Sequence, residues 1–271
     1  MYDFIDVNRY LEISDIYVKN NSDLSKLRDM KNKSIIFCHD ASVANNILFP
    51  ELKKFKQEIL LITVRDIEVC EQKTDNMPSN VLGWFGNNVT SPHQRAFGIP
   101  IGLPPLNVSF NAFDGYAGEE KRQILKQTMN DNYETSSTLA YISHSNHTNS
   151  RRSLIFNFLK NMKWVKSSAG TKRINYKTYI EDVKRHRYTI SPIGAGIDCH
   201  RTWESLYLGR TPVVEDSAAL RFFKDLPIMF IEKFEDLTEQ DLLKFEPKEN
   251  NLELLKFKYW ENKIRSFLSE T

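Results

Sequence analysis

The chain has 271 residues, 41% of them hydrophobic, with 37 basic and 35 acidic side chains and a net charge of +2. That hydrophobic share fills one large core or two modest ones and excludes a disordered chain, while the balanced charge excludes a global field for nucleic acid or a membrane surface. Three widely spaced cysteines, Cys38, Cys70 and Cys199, give neither a disulfide framework nor a zinc pattern.

In chain order, the first residues are acidic, with no basic start before an apolar run and no apolar run long enough to span a bilayer, so a soluble, cytoplasmic protein is expected. A helix is predicted near Asp23–Met30 and a buried strand over Ser34–Cys38. Val43, Ile47, Leu48, Leu52 and Phe55 recur near helical spacing and predict a helix over Ser42–Phe55. Strands follow over Ile59–Val64 and Val81–Phe85. Short apolar strands parted by helices predict a parallel sheet with crossover helices. Ser91–Leu106 is rich in Pro and Gly, and Asn107–Ser137 is polar with a charged helical run over Glu119–Met129, which places a boundary between a smaller domain, 1–130, and a second, 131–250. In the second domain the alternation is regular. Strands are predicted over Leu139–Ser143, Trp164–Lys166, Tyr188–Ile190, Pro212–Val214 and Ile228–Ile231, with helices over Ser150–Lys160, Lys177–Arg185, Cys199–Leu208 and Ala218–Phe223. This is a doubly wound pattern, whose ligands bind outside the carboxyl ends of the strands. An amphipathic helix over Leu252–Phe267, within 251–271, is expected to return to the first domain.

The chemistry concentrates in Thr189–Asp216, TISPIGAGIDCHRTWESLYLGRTPVVED. Gly194 and Gly196 allow the backbone to approach a ligand, Asp198 is placed to cap the following helix, and the helix terminus with Arg201 suits an anion. Glu204 is placed to accept from a ribose diol. A plainer reading stands beside this: Arg201 and Glu204 form an i, i+3 surface ion pair and the glycines only close a turn. Neither GxGxxG nor GxxxxGK[ST] is present. Asn149, Arg151 and Arg152 sit at a second strand end. His144 and His147 lack a third ligand at sensible spacing, so no metal site is expected.

The segment SPIGAGIDCHRTWESLYLGRTPVV resembles the signature of exostosin-like glycosyltransferases, often S-P-R-G-N-G-x-D-x-H-R-x-W-E. IIFCHDASVANNILFPEL, ILLITVRDIEV, WFGNNVTSPHQRAFGIPIGLPP, YISHSNHTNSRRS and DLPIMFIEKFEDLT resemble further family stretches, so the likeness covers roughly residues 34–240. The resemblance implies an α/β protein of GT-B type, with two Rossmann-like domains facing across a cleft. It implies an inverting, metal-independent transferase with no required cofactor, moving a sugar such as xylose, glucuronic acid, N-acetylglucosamine or galactose from a nucleoside-diphosphate donor, here expected to be a UDP-sugar, to a glycan hydroxyl. Arg201 would hold the pyrophosphate, with Ser191, Gly194, Gly196 and His200 beside it, and one of Arg151 and Arg152 would add a second charge. Asp66, then Asp40, is expected as the base, and Trp84, Asn87 and Asn88 on the acceptor side, with Trp203 in the core. Ile193 and Ala195 depart from the family Arg and Asn, which leaves the donor open. The alternative is an inactive sugar-nucleotide or glycan-binding module. The Asn- and Lys-rich composition fits a bacterial or virus-encoded member, and the oligomeric state stays open.

Overall fold

The computed structural model describes residues 2–106, 118–168, 174–249 and 251–270, so part of the polar segment expected at the boundary lies outside the described residues. Five strands, β1 (Ile16–Val18), β2 (Ser34–Cys38), β3 (Ile59–Thr63), β4 (Val81–Gly86) and β5 (Ala96–Gly98), form a parallel sheet in that order. Every residue of β2 and β3 is buried, as central strands covered on both faces require. β1 and β5 were not predicted.

Right-handed crossovers between sequential parallel strands put their connections on one face of the sheet. That face carries the segment predicted over Ser42–Phe55, where Leu48, Phe49 and Leu52 join Ile36, Leu61 and Trp84 in one apolar cluster. Its winding is broken: Ala41–Val43 is α-helical, Ala44–Leu48 winds as a π-helix, and Phe49–Leu52 is α-helical again. Pro50, whose ring would clash with the carbonyl of Asn46 in a regular helix, sits where the winding changes. The region predicted near Asp23–Met30 is a 3-10 helix, Asn21–Asp29, held by a capping box between Asn20 and Asp23.

The crossovers leave the opposite face of this sheet open, and the helix Phe257–Glu270 covers it. Phe267 meets Phe97 and Phe85 at ring-centroid distances of 4.9 and 5.8 Å, and Lys33 Nζ donates to the Leu268 carbonyl at 2.7 Å. Trp84 and Phe85 are neighbours on β4 and therefore point to opposite faces. Trp84 faces the crossovers, donates from Nε1 to Thr63 Oγ1 at 2.9 Å, and is fully buried, so its expected place on the acceptor side is corrected to the core.

The second sheet is also parallel, with β6 (Ala140–Ile142), β7 (Val165–Ser167), β8 (Tyr188–Ile190), β9 (Thr211–Glu215) and β10 (Met229–Ile231) in the order β10-β9-β8-β6-β7. The order reverses between β8 and β6, and a crevice opens at such a switch point. The loops after β6 and β8 leave there, the latter leading into the helix His200–Tyr207. The helix Gly118–Asn130 packs along Tyr176–Arg185.

One apolar cluster runs through both halves. It joins Phe85, Ile99, Ile101 and Leu103 to Trp203, Leu206, Phe223 and Leu226, with Trp260 of the C-terminal helix among them. Phe222 covers Gly98 of β5, where a Cβ would stand 2.3 Å from Phe222 Cγ. The two-sheet α/β architecture is the one the sequence resemblance implies.

Candidate functional site

A cavity of about 560 Å³ lies at the switch point, with Asp66, Ile101 and Pro104 on one side and Arg152, Arg201 and Glu204 on the other. Arg201 starts the second position of its helix. Its Nε donates to the Ser143 carbonyl at 2.9 Å, and its Nη1 is buried with no partner among the described residues. Arg152, in the first turn of the helix Ser150–Leu159, is 6% exposed. It donates from Nε to the Ile193 carbonyl at 2.8 Å, from Nη2 to the Pro192 carbonyl at 3.0 Å and from Nη1 to Thr148 Oγ1 at 2.7 Å. It therefore ties the two strand-end loops together.

Arg152 meets carbonyls and a hydroxyl and Arg201 a carbonyl, and neither meets a carboxylate among the described residues. Burial, and then the charge of Arg201, lowers the Arg152 pKa to about 10, which leaves it protonated at neutral pH. Two like charges in one wall repel until an anion reaches them. Charge-assisted hydrogen bonds to such an anion contribute roughly 1.5–3 kcal/mol each.

Glu204 lies one helical turn from Arg201 and is buried. The i, i+3 ion pair of the plainer sequence reading does not form. Instead, Tyr176 and Tyr179 each donate a hydroxyl to Glu204, to Oε1 and Oε2, both at 2.9 Å. Burial, then the Glu204 charge, pushes the Tyr179 hydroxyl well above its ordinary pKa, so it stays a donor. Each carboxylate oxygen keeps a lone pair for a second donor.

The glycines serve close approach. A Cβ at Gly194 would stand 2.7 Å from Arg152 Nη2, and one at Gly196 2.7 Å from Asn88 Nδ2 and 3.1 Å from the Asp66 Cα. The Gly194 amide donates to the Gly196 carbonyl at 2.9 Å, so it is already used within the loop. Asn149 caps its helix through Arg151 N and donates to the Gly194 carbonyl at 3.2 Å. Ser191 Oγ is buried against Thr202 Oγ1 at 3.0 Å, behind the cavity wall.

Asp198 does not cap the helix; the cap position is Cys199, without a side-chain bond. Tertiary donors have taken the Asp198 carboxylate: Ile101 N at 2.7 Å and Trp203 Nε1 at 2.8 Å. Burial pushes its pKa up to about 7. His200 lines the cavity, and its Nδ1 lies 2.7 Å from the Gly102 carbonyl. Burial, first, lowers its pKa, so the ring is neutral at neutral pH and its free nitrogen is not a donor to phosphate.

Other expected residues stand elsewhere. Arg151 is paired outside the cavity with Glu215 at 2.8 Å and Glu235 at 3.2 Å. Asp40 caps Ala41–Val43 by accepting from Ser42 N and Val43 N. Asn87 is buried and accepts from Arg65 N at 2.9 Å, and Asn88 reaches across to Asp198. Asp66 is exposed at the cavity edge. The sequence reading missed Lys121, Tyr176 and Tyr179, all in the lining. Tyr179 on the helix predicted over Lys177–Arg185, with Tyr176 at i−3 just before its expected start, was the available signal.

No family model matches the chain, and no curated protein matches it. Among solved structures it is similar to an alpha1,3-fucosyltransferase with GDP-fucose, at 14% identity and TM-score 0.46, over 97% of this chain and 95% of that one. It is also similar to an alpha,alpha-trehalose-phosphate synthase (UDP-forming) from Burkholderia vietnamiensis, at 9% identity and TM-score 0.49, over 97% and 77% of the two chains. A third, an alpha,alpha-trehalose 6-phosphate synthase from Burkholderia multivorans, has 10% identity and TM-score 0.42, over 92% and 71%. Identities this low carry no residue, substrate or reaction over to this chain. Among the described residues no helix is long and apolar enough to cross a membrane.

Proposed function

We propose that the cavity holds a nucleoside-diphosphate sugar and that the protein is a glycosyltransferase of exostosin-like, GT-B type. The observation that carries this reading is the pair Arg152 and Arg201, two cations in one cavity wall that, among the described residues, have no carboxylate partner, one of them with an unpartnered Nη1. On this reading the diphosphate lies between the guanidiniums, which supply the charge stabilisation of the leaving group that a metal supplies in other transferases. Glu204, oriented by two tyrosines, accepts from the ribose hydroxyls. Gly194 and Gly196 let the donor approach, and the acceptor, a glycan hydroxyl, enters along Asp66 and Pro104. Transfer is proposed as inverting, from a UDP-sugar, in a soluble, cytoplasmic protein.

The test is donor binding and turnover. UDP, GDP and a panel of UDP- and GDP-sugars are screened by thermal shift, since a ligand that binds only the folded state raises its apparent stability. A UDP-dependent rise in melting temperature that Arg201→Ala removes is expected. A wild type that no nucleotide stabilises refutes the proposal. Binding without turnover on a broad acceptor panel selects the alternative, a non-catalytic sugar-nucleotide-binding module.

A further inference from the structure

Glycosyl transfer to a hydroxyl needs a group that receives its proton. Of the two carboxylates expected in that role, Asp40 is committed to a helix cap and Asp66 is exposed at the cavity edge. His200 stands inside the cavity wall. Its Nδ1 lies 2.7 Å from the Gly102 carbonyl oxygen, which can only accept, so Nδ1 carries the proton and Nε2 the lone pair. Among the described residues Nε2 has no partner, and it is not sealed from solvent.

His200 and Arg201 are consecutive, yet they diverge. Arg201 reaches the Ser143 carbonyl at the end of β6, on the second sheet, while His200 reaches Gly102, in the chain that follows β5 of the first. The cation thus lies on the second-sheet side, where the proposed function puts the leaving diphosphate. The free lone pair lies on the side from which the acceptor enters. Burial opposes the protonated ring most, and Lys121 adds to that, while the Gly102 carbonyl, Glu204 and Asp66 favour it, so a proton taken by Nε2 has two carboxylates that offset part of the cost of burial.

Resting on the nucleotide-sugar reading, we propose that His200 Nε2 is the base and that Asp66 stabilises the imidazolium rather than taking the proton itself. In the step, a lone pair of the acceptor oxygen forms the bond to the anomeric carbon as the bond from that carbon to the phosphate oxygen breaks. The released pair stays on the diphosphate between Arg152 and Arg201, and the hydroxyl proton moves to Nε2. The imidazolium returns its proton to solvent after release.

The experiment compares wild type, His200→Gln, His200→Asn and Asp66→Asn in melting temperature, UDP affinity by calorimetry, and the pH dependence of kcat/KM with the UDP- or GDP-sugar that the wild type turns over. Both His200 variants should bind UDP within about threefold of wild type, lose roughly 100-fold or more in kcat, and lose the acid limb that wild type shows below about pH 6.5. Asp66→Asn should keep the limb but move it to lower pH, because a carboxylate that favours the imidazolium is gone, and lose about tenfold in kcat. The base assignment is overturned if Asp66→Asn abolishes turnover while the His200 variants keep the limb, or if folded wild type shows no acid limb. A wild type that binds neither UDP nor GDP instead refutes the nucleotide reading on which the assignment stands.

Discussion

Asn88 Oδ1 accepts the backbone N–H of Asp198 at 2.7 Å, and so joins the end of β4 to the loop that leads into the His200 helix. The same side chain donates from Nδ2 to the Arg65 carbonyl at 2.9 Å, and Asn88 holds a left-handed backbone, with φ of 56°. Asn tolerates that conformation where most residues do not. Asn88→Ala removes both bonds, leaves the buried Asp198 N–H unsatisfied and strains the backbone, at a cost of roughly 2–4 kcal/mol. Asn88→Gly loses the same bonds without the strain, so it should melt a few degrees above Asn88→Ala. Equal melting temperatures for the two would refute the role of the backbone.

Gly98 and Phe222 form a second link between the halves. A Cβ at Gly98 collides with the ring that covers it, so Gly98→Ala should destabilise by about 1–3 kcal/mol. Removing the ring removes the collision. Gly98→Ala with Phe222→Ala should therefore be more stable than the sum of the single changes predicts, and additive urea midpoints would show that the two residues do not meet.

Glu204 gives a test of ribose recognition. Glu204→Gln keeps the shape but replaces one acceptor oxygen with a donor, facing a tyrosine hydroxyl that now donates. The wild type is expected to bind UDP about tenfold or more tighter than 2′-deoxy-UDP, and Glu204→Gln to bind the two about equally, read by calorimetry. A wild type that does not discriminate would move the ribose away from Glu204.

Two buried groups give stability opposite slopes with pH. His144 is buried, neither ring nitrogen makes a well-formed hydrogen bond among the described residues, and burial, then Arg201 and Arg152, pushes its pKa down to about 3 against weak contacts from Asn146 and Ser145. The unfolded chain binds the extra proton first, so this contribution is present above about pH 6.5 and is lost as pH falls toward 3. Asp198 runs the other way. With its pKa raised to about 7, the folded chain holds the proton that the unfolded chain releases, so its contribution is full below about pH 4 and is lost as pH rises through 7. Urea unfolding between pH 4 and 8 reads both. Relative to wild type, His144→Asn should gain stability on acidification below about pH 6.5, and Asp198→Asn should lose it from about pH 7 to 4, each by at most about 1.4 kcal/mol per pH unit.

The apolar runs of β2, β3 and β8 were legible because parallel strands buried on both faces leave little else in the sequence. β1 and β5 are three-residue edge strands, too short to show a period. Pro50 marked the broken winding of the first crossover, but apolar spacing alone ran through it. In the site, Arg201 and Glu204 were legible from one local segment. Lys121, Tyr176 and Tyr179 come from other helices, and only the fold brings them to the same cavity. Asp198 sits where a cap residue is expected, yet the tertiary donors Ile101 and Trp203 outcompeted the helix for its carboxylate.

The helix Phe257–Glu270 covers a sheet whose strands all lie before residue 99. During synthesis that sheet is complete long before its lid exists, so one apolar face waits in water while the whole second half of the described fold is being translated. The first sheet therefore lacks this cover until that helix is made. The core beneath it closes only with Phe257–Glu270 in place, which couples the maturation of the cavity to a helix translated after every other element of the described fold.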